Sequence, residues 1–140
     1  MSILTNRSTV RFMGNLATVL FAVVIVLQLL LAAGILPVTM AWGGQQSVLT
    51  TGLRFASLAA VVILASCAYV IRRRAGLLGD QPPSMWIKIL AWLITAYMAL
   101  NTLGNLASPS LAEKLVFGPI TLLLVVSCAV VSLSKQSKGE

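Results

Sequence analysis

The chain has 140 residues, of which 59% are hydrophobic and 9% are charged, and its formal net charge is +7. Because soluble domains carry about 25% charged residues, this composition excludes a water-soluble globule and indicates a chain dissolved in a lipid bilayer. With no histidine and three acidic residues, it also excludes a His-based catalytic triad and a His-ligated metal site.

Four apolar stretches follow one another along the chain, at about residues 15–38, 48–71, 85–107 and 111–133. Each has roughly 20 residues or more, the length that an α-helix needs to cross the hydrocarbon core of a bilayer. In lipid each segment must satisfy its own backbone hydrogen bonds, so the stretches are predicted to be helices. The sequence thus predicts a single integral membrane domain over residues 1–140, an all-α up-down bundle of four transmembrane helices.

Glycine, proline and short polar segments separate these helices. Residues 43–46 form a turn between the first two, and residues 79–83 interrupt the chain before the third. Ser110 followed by Glu113 is typical of a capping box, in which the serine caps the fourth helix and the glutamate reaches back to it. Pro119 lies within that helix and predicts a kink, because proline lacks a backbone donor.

The distribution of lysine and arginine predicts the orientation of the chain. If the N-terminus is cytoplasmic, most basic residues face the cytoplasm, and only Arg54 and Lys114 face outward. The cytoplasmic set is then Arg7, Arg11, Arg72, Arg73, Arg74, Lys88, Lys135 and Lys138. We therefore predict a multi-pass protein with both termini in the cytoplasm. The position of these charges at the ends of apolar stretches also argues against a nucleic-acid partner.

Polar residues that are costly in a membrane gather toward the predicted outer face. This candidate outer-face polar cluster consists of Trp42, Gln45, Arg54, Asn101, Asn105 and Glu113. Asn101 and Asn105 are four residues apart and so share one helix face, and Gly104 between them favours close helix approach. An ion pair between Arg54 and Glu113 is expected if the second and fourth helices are neighbours.

The same residues also have a purely structural interpretation. Arg54 has a stem long enough to reach the headgroups, and Trp42 suits an interfacial anchor. The two asparagines, and Gln28 in the first helix, suit hydrogen bonds between helices. Cys67 and Cys128 are expected to be small packed side chains in the cytoplasmic half.

The string Ala41-Trp42-Gly43-Gly44-Gln45 after the first helix is the most distinctive in the chain. Together with Arg54, the segment from Asn101 to Asn105, and Glu113 ahead of Pro119, it resembles a family of small bacterial four-helix integral membrane proteins. The resemblance extends over nearly the whole chain. It implies the inner (cytoplasmic) membrane of a bacterium and supplies no activity, cofactor or catalytic residue.

For function, we expect a non-enzymatic protein that binds or assembles in the membrane, without a cofactor. Its partners are the lipid bilayer and either a second copy or another membrane protein. The alternative is a small oligomeric transporter or channel with an outward-facing polar vestibule. An intramembrane enzyme is the weakest hypothesis, because no base lies near either cysteine in the sequence.

Overall fold

The computed structural model describes residues 6–134, which form a bundle of four long helices with no strand in that range. The helices are α1 (Arg7–Ala33), α2 (Thr51–Arg74), α3 (Met85–Ala107) and α4 (Gly118–Leu133), the last preceded by a π-helical turn (Glu113–Phe117). Two 3-10 turns, Val38–Met40 and Trp42–Gly44, lie between α1 and α2. All four helices, with the π-helical turn counted into the last, are long and apolar enough to cross a membrane. The predicted fold class is confirmed.

The ends of α1 differ from those of the apolar stretch at residues 15–38. The helix begins at Arg7, since the side chain of Asn6 accepts a hydrogen bond from Ser8 N and caps it. It ends at Ala33 because Gly34 adopts the left-handed conformation with φ of +77°. Hydrophobicity marks the part of a helix that lies in hydrocarbon, whereas caps decide where the helix begins and ends.

Antiparallel neighbours build the bundle, as the short connections predict. α1 packs mainly against α2 and α4, and α3 packs mainly against α4, whereas α2 and α4 have little contact. Gly14 permits the close approach of α1 to the end of α2, because a Cβ there would lie 2.6 Å from Ala75 Cβ. Among the helices that lie side by side, α2 and α3 have the least contact with each other.

Two ends of the bundle have different characters. The loop end carries residues 34–50 and 108–112, and the terminal end carries residues 75–84 together with the start of α1 and the end of α4. The terminal half is closed by side chains with no exposed surface, among them Ala17, Ile71 and Val131.

The three arginines that end α2 bond to protein groups. Arg72 Nη1 donates to Thr18 Oγ1 at 3.4 Å, and Arg73 Nη1 donates to the carbonyl of Leu78. Arg74 is 4% exposed, and its Nη2 donates to the carbonyls of Ser132 and Ser134. The final carbonyls of a helix lack intrahelical donors, so Arg74 satisfies the end of α4.

The basic residues separate by end as the sequence predicts. Arg7, Arg11 and Lys88 lie on the first turns of α1 and α3 at the terminal end, with the arginines that end α2. Arg54 and Lys114 lie at the loop end. Lys135 and Lys138 lie outside the described residues.

Candidate functional site: a cavity between the four helices

A cavity of about 240 Å³ lies between the helices in the half of the bundle nearest the loop end. Its polar wall consists of Gln28 from α1, Asn101 and Asn105 from α3, Thr121 from α4 and Glu113. Three aromatic side chains, Trp42, Tyr97 and Phe117, complete the wall, and Val24, Leu64 and Leu124 are among the apolar residues that line the rest. Every helix of the bundle therefore contributes to the lining of one partly open cavity.

A second, more open groove of about 550 Å³ adjoins this cavity along α3. The two share Tyr97, Asn101, Asn105 and Glu113 as lining residues. Gly104 lines the groove, and a Cβ built on it would meet no atom within 4 Å. The expectation that Gly104 brings two helices close together is therefore wrong, because this face of α3 borders open space.

Glu113 is the acidic residue of the cavity and is only 7% exposed. Its Oε1 accepts a hydrogen bond from the backbone N–H of Gly43 at 3.0 Å. The predicted capping box is half formed, since Ser110 Oγ accepts from Glu113 N at 3.4 Å. The other half is absent because Ser110 N donates to Ser108 Oγ, which leaves the glutamate side chain turned to the α1–α2 loop.

The α1–α2 loop holds an unusual backbone conformation at this point. Trp42, Gly43 and Gly44 have φ of +58°, +78° and +66°, a left-handed run that is strained for a bulky residue such as tryptophan. Gly44 lies against the α3–α4 loop, where a Cβ would be 2.7 Å from Ser110 Cβ. Ser110 Oγ also donates to the carbonyl of Thr39 at 3.0 Å. The contacts between the two loops hold Trp42 at the cavity.

The turn that follows Glu113 is π-helical, and the N–H of Gly118 donates to the carbonyl of Glu113 five residues earlier. In a regular α-helix the ring of Pro119 would clash with the carbonyl four residues before it. The wider π-helical turn immediately before Pro119 is the observed accommodation at the place where the sequence predicts a kink.

Asn101 and Asn105 have different kinds of hydrogen-bond partner. Asn105 Nδ2 donates to Thr121 Oγ1 at 3.3 Å and so joins α3 to α4, as the structural interpretation expects. Asn101 Nδ2 donates to the carbonyl of Tyr97 on its own helix at 2.9 Å. Thr121 Oγ1 lies 2.8 Å from the carbonyl of Phe117 and donates to it.

Two residues of the predicted cluster lie apart from the cavity. Gln45 is exposed in the loop. Arg54 Nη1 donates to the carbonyl of Ala32 at 2.8 Å, at the end of α1. Within residues 6–134 no ion pair joins Arg54 to Glu113, so that expectation is wrong; α2 and α4 are not close neighbours. The structure gathers Trp42, Asn101, Asn105 and Glu113 around the cavity.

Three residues of the wall that carry polar groups were not in the predicted cluster, namely Gln28, Tyr97 and Thr121. Gln28 is expected to bond across a helix interface, but its Oε1 is buried without a hydrogen-bond partner. A weak signal does exist, since Tyr97, Asn101 and Asn105 recur every four residues and so share one helix face.

Comparison of the chain with protein families, with curated proteins and with solved structures finds no match. The resemblance to small bacterial four-helix membrane proteins therefore stays a prediction.

Proposed function

We propose that the chain is a non-enzymatic membrane protein that binds a small molecule in the cavity at its outward face. The observation that carries the proposal is the cavity itself, to which all four helices contribute and whose polar groups lie beside an apolar surface. Ligand sites are typically concave and mostly apolar, with a few polar groups that orient the ligand. A volume slightly below about 300 Å³, where drug-sized pockets begin, suits a small ligand.

The proposed orientation places the loop end outside and both termini in the cytoplasm of a bacterial cell. Its support is the concentration of arginine and lysine at the terminal end, because positively charged segments remain on the cytoplasmic side of a membrane. The cavity would then take up its ligand from the outer side of the inner membrane.

Binding suits the cavity better than catalysis does. Its single carboxylate has no second carboxylate, lysine or cysteine among the described residues that line the wall. General acid–base or nucleophilic chemistry normally requires a positioned partner for the reacting group. The polar and aromatic side chains of the wall can bind a molecule through hydrogen bonds and aromatic contacts.

An oligomeric transporter or channel stays the alternative proposal. It requires a path from the cavity to the terminal end, where the packed side chains of Ala17, Ile71 and Val131 are 0% exposed. The packing of these residues favours a binding protein whose cavity opens on one side. A cysteine in place of Ala17 that reacts readily with a water-soluble thiol reagent would favour transport.

The decisive experiment compares two phenylalanine variants of adjacent residues on α2. Ala60 lines the cavity, so Ala60→Phe should fill it, whereas Ala59 is exposed, and Ala59→Phe should add only lipid-facing surface. Each full-length protein is extracted with its own lipids into polymer nanodiscs and examined by native mass spectrometry. We expect the parent and Ala59→Phe to retain a bound small molecule that Ala60→Phe has lost. The same molecule on all three proteins, or on none, would overturn the proposal.

A further inference from the structure

The charge of the cavity is opposite to that of the whole chain. The protein carries 10 basic and three acidic residues, yet Glu113 is the charged residue of the cavity wall, and no lysine or arginine lines it among residues 6–134. A carboxylate that is 7% exposed is costly unless it has a partner. The backbone N–H of Gly43 donates to one oxygen of the Glu113 carboxylate, so the second carboxylate oxygen is available to a ligand.

The wall also offers amide oxygens that can accept hydrogen bonds from a ligand. The amide nitrogens of Asn101 and Asn105 donate within the protein, to the Tyr97 carbonyl and to Thr121. Their carbonyl oxygens accept no bond within the described residues, and neither does the buried Oε1 of Gln28. The wall therefore presents three free amide oxygens beside the carboxylate of Glu113, and these acceptors suit a ligand that donates hydrogen bonds or carries positive charge.

Aromatic faces add a second attraction for the same kind of ligand. Trp42, Tyr97 and Phe117 line the cavity that contains Glu113. Aromatic rings attract cations through their negative faces, and aromatic enclosures are a recurring means of binding quaternary ammonium groups. An anion would meet no basic side chain among the described residues that line the cavity.

The size and the apolar surface of the cavity favour an organic cation over a metal ion. About 240 Å³ is far larger than one bare ion, and Val24, Leu64 and Leu124 offer only hydrocarbon contacts. Residues 6–134 contain no group of three or more His, Cys, Asp or Glu side chains close enough to hold a metal. Carbon–hydrogen groups of a ligand would instead bury apolar surface there.

We propose that the cavity binds a small organic ammonium ion, with its positive group between Glu113 and the aromatic side chains. This inference rests on the proposed function of ligand binding and adds the charge of the ligand. The amide oxygens of Asn101 and Gln28 accept hydrogen bonds from any N–H or O–H groups of the ligand, and the apolar surface contacts the carbon chain of the ligand.

The test uses two probes of the same shape, choline and its neutral carbon analogue 3,3-dimethylbutan-1-ol. Binding of each to the full-length protein in nanodiscs is measured by isothermal titration calorimetry. Choline should bind at least about tenfold more tightly, because the carboxylate and the aromatic faces attract its cationic trimethylammonium group and not the neutral tert-butyl group of the alcohol. Glu113→Gln, which keeps an acceptor for Gly43, should remove this preference and leave the affinity for the alcohol unchanged.

Asp80→Asn is the matched control, since it removes a carboxylate from the exposed loop at the opposite end. It should leave the affinity for choline unchanged. Equal binding of choline and the alcohol, or choline binding that survives Glu113→Gln, overturns the charge assignment and leaves the binding cavity in place. Binding of neither probe by a protein that retains its co-purified molecule also overturns only the charge assignment. The loss of any distinction between Ala60→Phe and Ala59→Phe in the preceding experiment overturns the cavity itself.

Discussion

The backbone N–H of Gly43 donates a hydrogen bond to Oε1 of Glu113 across 70 residues of sequence and 3.0 Å of space. It joins the α1–α2 loop to the start of the fourth membrane-spanning segment. The bond fixes the buried carboxylate and holds the loop that carries Trp42 against the cavity. One contact thus stabilises the fold and positions the proposed binding group.

Glu113→Ala should therefore destabilise the protein by about 1–3 kcal/mol, because it leaves the N–H of Gly43 without its acceptor. Glu113→Gln should cost clearly less, since its side-chain oxygen can accept the same bond. The measurement is the thermal unfolding of both variants in the same detergent. Equal Tm values for the two variants would contradict a structural role for the bond.

Alanine substitutions at two neighbouring glycines distinguish the cost of backbone strain from the cost of lost packing. Gly43 and Gly44 both have positive φ, but a Cβ on Gly43 would meet nothing within 4 Å, whereas one on Gly44 would lie 2.7 Å from Ser110 Cβ. Gly43→Ala should cost about 1–2 kcal/mol for the left-handed conformation alone. Gly44→Ala should lower Tm further by forcing the two loops apart. Equal losses in the two variants would show that the loops do not pack as described.

The sequence is sufficient to predict the four helices, because span length and hydrophobicity are properties of each segment alone. It is also sufficient to place polar residues by depth, which is why Trp42, Asn101, Asn105 and Glu113 are found near one end. The helices are apolar nearly all round, so the sequence carries little information about which face of each one points inward.

That missing information explains two wrong expectations about polar side chains, one for Arg54 and one for Gln28. Arg54 and Glu113 lie at similar depth, but the rotation and order of the helices give Arg54 the carbonyl of Ala32 instead. Gln28 looks like a residue that bonds to a neighbouring helix, yet its Oε1 is buried beside a cavity. The presence of a cavity depends on where four helices fail to fill space, which no single segment specifies.

The separate partners of Arg54 and Glu113 predict that their contributions to stability are independent. Arg54→Met should destabilise the protein by about 1–3 kcal/mol, because a carbonyl at the end of α1 loses a charged donor. Combined with Glu113→Gln, the effects should add within about 0.5 kcal/mol. A double-mutant cycle measured by thermal unfolding provides the coupling. A larger favourable coupling energy between Arg54 and Glu113 would indicate the direct ion pair that the sequence suggests.

The proposed orientation is tested by cysteines in two exposed turns. Gln45→Cys should react in intact cells with a membrane-impermeant maleimide, and Asp80→Cys should react only after the cells are permeabilised. The parent chain is the control, because Cys67 and Cys128 are both buried. The opposite pattern of labelling would place the cavity on the cytoplasmic side and overturn the proposed direction of ligand entry.

Adjacent residues of α4 distinguish a water-filled cavity from hydrocarbon at the same depth. Thr121 lines the cavity, whereas the neighbouring Leu122 is 52% exposed on the outside of the bundle, where lipid would lie. The thiolate is the form of cysteine that attacks a methanethiosulfonate, with loss of methanesulfinate, and it forms in contact with water and not in lipid. Thr121→Cys should therefore react with an impermeant methanethiosulfonate added outside, and Leu122→Cys should not. Adding Ala60→Phe to Thr121→Cys should slow the reaction, because it fills the space that the reagent crosses. Equal labelling of the two single variants, or none of either, would show that water does not enter between the helices.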